Sequence, residues 1–109
     1  VLPAVSGESI MIHIVAILTA KMGHRGSLLA ALQSVVPAVR AEPGCLEYQP
    51  VVDMDQSPVK FGADTLVVIE KWADQEALDG HNEGAPLAEF REKSKHLLAQ
   101  ADVYLLQGV

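Results

Sequence analysis

Met11–Ala20 reads MIHIVAILTA and Asp64–Trp72 reads DTLVVIEKW. Both are rich in β-branched residues and bounded by turn formers, which predicts two strands. A strand with one wet face alternates apolar and polar residues, and these two do not. In the first, Ile12, Ile14, Ala16 and Leu18 share one face while His13, Val15, Ile17 and Thr19 share the other. In the second, Leu66, Val68, Glu70 and Trp72 oppose Thr65, Val67, Ile69 and Lys71. A sheet built around such strands has to be covered on both sides.

Working outward, Leu28, Leu29, Leu32, Val35, Val36 and Val39 recur at helical spacing and predict one helix from about Gly23 to Ala41. Pro37 lacks an N–H for the ladder and is expected to kink that helix or loosen its last turn, and Pro43-Gly44 ends it. Cys45–Met54 reads as a second strand, placed at a sheet edge by Pro50. Asp55–Ala63, with Ser57-Pro58 and Gly62, reads as a loop. Asp74 is a good N-cap for a short helix to about Asn82, which Gly84 interrupts. A further helical piece starts at Pro86 with Leu87, Phe90, Leu97 and Leu98 on one face, and Asp102–Gln107 closes the chain as a fourth strand. The order βαββαβ predicts an α+β, ferredoxin-like split-βαβ subunit with sheet order 4-1-3-2. Helices can cover only one face of that sheet. The other face is expected to meet the same face of a second copy, giving a homodimer.

At 109 residues the chain has room for one domain, read as 11–109, with residues 1–10 as a flexible leader or added segment before Met11. Its 14 acids against 8 bases, with no basic run, leave nothing to neutralise a phosphate backbone or an anionic bilayer. Neither nucleic acid nor membrane is expected as a partner. The apolar run Ile10–Ala20 is too short to span a bilayer, the one cysteine, Cys45, cannot form an internal disulfide, and no secretory start is visible. A cytoplasmic location is expected.

There is no phosphate-binding glycine loop, nucleophile elbow, zinc-spaced Cys/His pair or acidic metal cluster, so neither a metal nor a nucleotide is expected. What remains is Glu70-Lys71-Trp72 running into Ala77, Leu78 and His81. Counted along the short helix, His81 falls on the inward face with Ala77 and Leu78. It reads either as a core histidine bonded to a carbonyl or carboxylate, or as a base. If the Glu70/Trp72 face lies under the helices, an acid, a base and a flat aromatic wall share one pocket. Tyr48, on the rim strand with Leu46 and Val52, offers a hydroxyl to that pocket or simply fills core, and Phe90 lies on the apolar face of the last helix. His13 could reach the same cavity or the dimer seam. His24 and His96 read as exposed, Arg40 and Glu42 as a salt bridge or cap closing the first helix, and Cys45 as a small buried hydrophobe.

Arg40-Ala41-Glu42-Pro43-Gly44-Cys45-Leu46-Glu47-Tyr48, then Glu70-Lys71-Trp72-Ala73-Asp74, Ala77-Leu78 and His81 together resemble the antibiotic biosynthesis monooxygenase domain. The likeness runs over nearly everything from Met11 to Val109. It implies a ferredoxin-like subunit paired as a dimeric α+β barrel. It also implies an enzyme: a cofactor-independent monooxygenase oxidising a quinol-like or phenolic small molecule with O2. On that expectation no cofactor is needed, because a deprotonated hydroxy-aromatic is electron-rich enough to reduce oxygen itself. His81 or Glu70 would be the catalytic base, and Trp72, Tyr48, His13 and Phe90 would contact the substrate. Two alternatives stand beside it: an isomerase or lyase acting on a small oxygenated metabolite, and a non-catalytic small-molecule-binding dimer. Haem-degrading relatives are a weaker match, since they carry an asparagine in the first strand where this chain has none. The loop from Asp53 to Asp64 is longer than usual for the family, and Leu87 stands where a histidine is frequent.

Overall fold

The computed structural model describes residues 10–109, so the expected leader lies outside the described residues except for Ile10. The elements run β1 (Ile12–Ala20), α1 (Arg25–Gln33), α2 (Val36–Arg40), β2 (Cys45–Val51), β3 (Thr65–Trp72), α3 (Gln75–Asn82), α4 (Ala85–Ser94) and β4 (Leu98–Leu106). The strands form one sheet in the order β2-β3-β1-β4, every neighbouring pair antiparallel. This is the ferredoxin-like α+β fold, with the expected order and with Pro50 on an edge strand, where its missing N–H leaves no gap in the ladder.

The two strands apolar on both faces are the two in the middle. β1 pairs with β3 so that Ile12, Ile14, Ala16 and Leu18 lie opposite Trp72, Glu70, Val68 and Leu66. This is the face on which the core assembles: Ile14, Ala16, Leu18, Leu66, Val68 and Trp72 join Leu28 and Leu32 of α1, Val36 and Val39 of α2, Leu78 of α3 and Phe90 of α4. The helices supply the apolar stripe and the strands the apolar plane, which is how the pieces exclude water. The other face carries His13, Val15, Ile17 and Thr19, all half-buried, with no helix laid over them.

Four boundaries differ from the sequence reading, each for a local reason. The long first helix is two helices. Pro37 could not have donated to the carbonyl of Gln33, and the ladder breaks just before it, so that Pro37 sits in the first turn of α2, where no donor is required. β2 ends at Val51 rather than Met54, because the Asp53 carboxylate turns inward to accept from the N–H groups of Phe61 (3.0 Å) and Gly62 (2.9 Å) and closes the loop. A bulge between Cys45 and Glu47 shifts the register, so Tyr48 is buried opposite Glu70 while Leu46 on the same strand stays exposed. α4 stops at Ser94. Leu97 and Leu98, read as part of the helical face, belong to the turn and to β4, which pairs with β1 from Leu98 to Leu106 instead of starting at Asp102.

Candidate active site

His81 is placed by the helix that Asp74 starts. The Asp74 carboxylate accepts from the Ala77 N–H at 2.8 Å, fixing the first turn of α3, and Leu78 and His81, three apart, then face inward together. The imidazole is 4% exposed. Its plane stacks on Trp72 with centroids 4.5 Å apart and 28° between planes, and the Tyr48 ring meets it edge-on at 5.6 Å. Such aromatic pairs hold orientation as well as adding burial. Nδ1 lies 2.7 Å from Oε1 of Glu42. A carboxylate can only accept, so Nδ1 carries a proton, and Nε2 is the ring nitrogen turned away from Glu42.

Glu42 is a partner of His81 that the sequence reading, which took it as a cap or salt bridge, did not assign. It sits just after α2, its own N–H bonded to the Val39 carbonyl at 3.0 Å, and 39 residues separate it from His81. No periodic pattern links positions so far apart. Two glycines bring the partners together: at Gly44, φ +77°, a side chain would collide with Ala77 of α3, and at Gly84 a Cβ would stand 2.7 Å from Oε2 of Glu42. Arg40, read with Glu42 as a pair, instead donates to the Tyr48 carbonyl (3.0 Å) and the Gln49 side chain (3.2 Å), tying α2 to β2.

Glu70 is buried on the same face and accepts the Trp72 indole N–H at 3.0 Å. Desolvation pushes its carboxyl above the ordinary value, a rise opposed by the Trp72 hydrogen bond and the nearby His81. Burial, and then the neighbouring Glu70 and Glu42 carboxylates, also push up the Tyr48 phenol, which keeps its proton and so stays a donor. The Cys45 thiol is raised in the same way, burial first, which leaves it a protonated small hydrophobe.

A cavity of about 220 Å³ lies between the sheet and α3/α4. Tyr48, Glu70, His81 and Phe90 line it, among the aliphatic side chains of Ile14, Leu18, Val68 and Leu87. Asn82, Arg91 and Ser94 add polar groups that the sequence reading did not single out. Among the described residues no sealed side-chain nitrogen or oxygen lacks a partner, while Nε2 of His81 and the Tyr48 hydroxyl make no hydrogen bond; both therefore touch open space. Thus Glu70, His81, Tyr48 and Phe90 come together as expected. Trp72 joins them from behind: fully buried, it does not line the cavity, and it supports His81 and Glu70 rather than facing a ligand. His13 is not brought there. It pairs with Lys71 on β3 and Leu106 on β4, on the opposite face of the sheet. His24 and His96 are exposed.

The sequence profile of the antibiotic biosynthesis monooxygenase family matches residues 11–93, which take in both halves of the site. The chain belongs to that family. Among its relatives is a Bacillus subtilis protein named "Putative monooxygenase YcnE", 37% identical over 90 residues that span 82% of this chain and 87% of the relative. An Escherichia coli protein named "Probable quinol monooxygenase YgiN" is 30% identical over 87 residues, 77% of this chain and 83% of that one. In structure the family member resembles PA3566 from Pseudomonas aeruginosa, with a TM-score of 0.80 and 28% identity over 93% of this chain and 96% of the other. Among the described residues no helix is long and apolar enough to cross a membrane.

Proposed function

We propose that the protein is a cofactor-independent monooxygenase that oxidises a quinol-like or phenolic small molecule with O2. The observation that carries this reading is the His81–Glu42 pair, whose imidazole lines a cavity with an aliphatic wall and with Tyr48 and Glu70 beside it. The cavity is below the roughly 300–1,000 Å³ typical of drug-sized ligands, which suits a compound of one or two rings. A hydroxyl of the ring binds at Nε2 of His81, which removes its proton while Glu42 stabilises the imidazolium. The Tyr48 hydroxyl donates to the oxygen that becomes negative, and Phe90 with the aliphatic wall holds the ring. Glu70 is the second acid/base candidate. Burying the electron-rich anion away from water lets it pass electrons to O2. For a simple hydroquinone, two hydroxyl protons and one ring hydrogen are lost, one oxygen atom enters the ring as a hydroxyl, and the other leaves as water. The family and the names of the two relatives support monooxygenase chemistry, and the name of the E. coli relative supports a quinol.

The same reading includes a homodimer in which two copies close their uncovered sheet faces against each other. His13, half-buried on that face, then lies at the seam.

The test is oxygen uptake with a panel of hydroquinones. The His81→Ala variant should lose about 10²- to 10⁴-fold in turnover, the usual worth of a general base. An unchanged rate refutes the assignment of the base. Turnover of a substrate without oxygen points instead to isomerase or lyase chemistry.

A further inference from the structure

His81 borders two separate spaces. On one side is the inner cavity with Tyr48, Glu70 and Phe90, which opens to solvent past Asn82, Arg91 and Val103; on the other is a surface cleft of about 450 Å³ lined by Glu42, Pro43, Gly44, Asp74, Glu76 and His81. Glu42 lines only the outer space, with a side chain 13% exposed, and its Oε1 is 2.7 Å from Nδ1 of the ring. Across the imidazole from Nδ1, Nε2 faces away from Glu42. Trp72 stacks on the ring face and Tyr48 meets the ring at a steep angle. The wall between cavity and solvent is therefore, at this point, one histidine and one glutamate in series.

We propose that Glu42 is a proton-relay residue, connecting His81 inside to water in the outer cleft. The inference rests on the reading of His81 as the base. In the outward step the substrate O–H bond breaks and Nε2–H forms; the Nδ1–H bond then breaks as Oε1–H of Glu42 forms; Glu42 finally loses that proton to cleft water. In the inward step Nε2 returns its proton to reduced oxygen and Glu42, recharged from water, restores Nδ1–H. Each proton that leaves the substrate is matched by one delivered to oxygen, so the ring ends in its starting tautomer. The acidic surroundings of the cleft, Asp74 and Glu76 beside Glu42, favour a cation such as hydronium at its mouth. Gly84 supports the arrangement, since any side chain there would press on Oε2 and displace the carboxylate.

Two measurements decide it. In ¹⁵N-histidine-labelled protein, His81 should be found as the Nδ1–H tautomer, and that proton should exchange with water at least about tenfold more slowly in Glu42→Gln, which can accept the hydrogen bond but cannot carry the proton. An Nε2–H tautomer in the unaltered protein, or equal exchange in the variant, overturns the relay whether or not a substrate is found. In oxygen uptake, Glu42→Gln and Glu42→Ala should lower kcat by about 10²-fold with KM little changed, and added formate should restore Glu42→Ala but not His81→Ala. Full activity in Glu42→Gln, or a loss in folded Glu42→Ala that formate does not relieve, also overturns it. Absence of oxygen uptake by the unaltered protein counts against the monooxygenase reading and leaves the tautomer and exchange result to decide the relay.

Discussion

The two faces of the sheet are made from the same strands, yet they end in different environments. On β1, Ile14, Ala16 and Leu18 are 3%, 5% and 7% exposed beneath the helices, whereas Val15, Ile17 and Thr19 between them are only half-buried. At β4 the contrast is lost: Val103 and Leu105, beside Ala16 and Ile14 on the covered face, are each 55% exposed, and Tyr104 and Leu106, beside Val15 and His13 on the other face, are 53% and 50% exposed. The covered side also carries a carboxyl and an imidazole, and these two are held: Glu70 by Trp72, His81 by Glu42. A buried acid and a buried base persist there because partners offset their loss of water. Apolar surface on the other face has no such internal solution, which is the physical basis of the proposed closure against a second copy.

The widest separation between the faces should come from placing one charge on each. Leu66→Asp puts an unpaired carboxylate at a fully buried position on the covered face and should cost about 4 kcal/mol or more, enough to unfold a domain of this size; circular dichroism and denaturant titration would report it. Val15→Asp on the uncovered face should leave the fold intact and, on the proposed pairing of these faces, give a monomer in light scattering where the unaltered protein gives a dimer. If Val15→Asp unfolds the chain or leaves a dimer unchanged, the contrast between the faces is not one of partners. Next in size, Trp72→Ala should lower stability by about 3–5 kcal/mol, as expected for emptying a fully buried aromatic site, and should also free His81 and Glu70 from their support. Trp72→Phe should recover most of the stability but not the Glu70 hydrogen bond, since it lacks the indole N–H. The smallest effect is in pH dependence. Glu70 binds its proton more tightly folded than unfolded, so stability is fully present below the unfolded value near 4.5 and declines as pH rises through the higher folded value. In urea titrations across that window, Glu70→Gln should flatten the decline, and an unchanged slope would assign it to another group.

Much of this was visible in the order of residues. Period-two strands, the Asp74 cap, the edge proline and the inward position of His81 depend on neighbours within one helical turn or one strand, where side-chain direction follows from backbone geometry. Pro37 marked the right place and the wrong consequence: its missing donor was legible, but whether the chain bends or restarts depends on what α1 and α2 pack against. Glu70 and Trp72 were correctly placed on one face, while the role of Trp72 was not, because a residue's distance from a cavity is set by the elements around it.

By itself, then, the sequence determined the element order, the two-faced central strands and an imidazole aimed at the core, since these follow from local periodicity and composition. Only the tertiary structure decided that Glu42, 39 residues from His81, would become its partner, that Trp72 would stand behind the imidazole, and that His13 would be turned to the far side of the sheet. Those outcomes depend on contacts between distant segments, which are fixed by strand register, by a bulge at Leu46 and by the close approach that Gly44 and Gly84 permit.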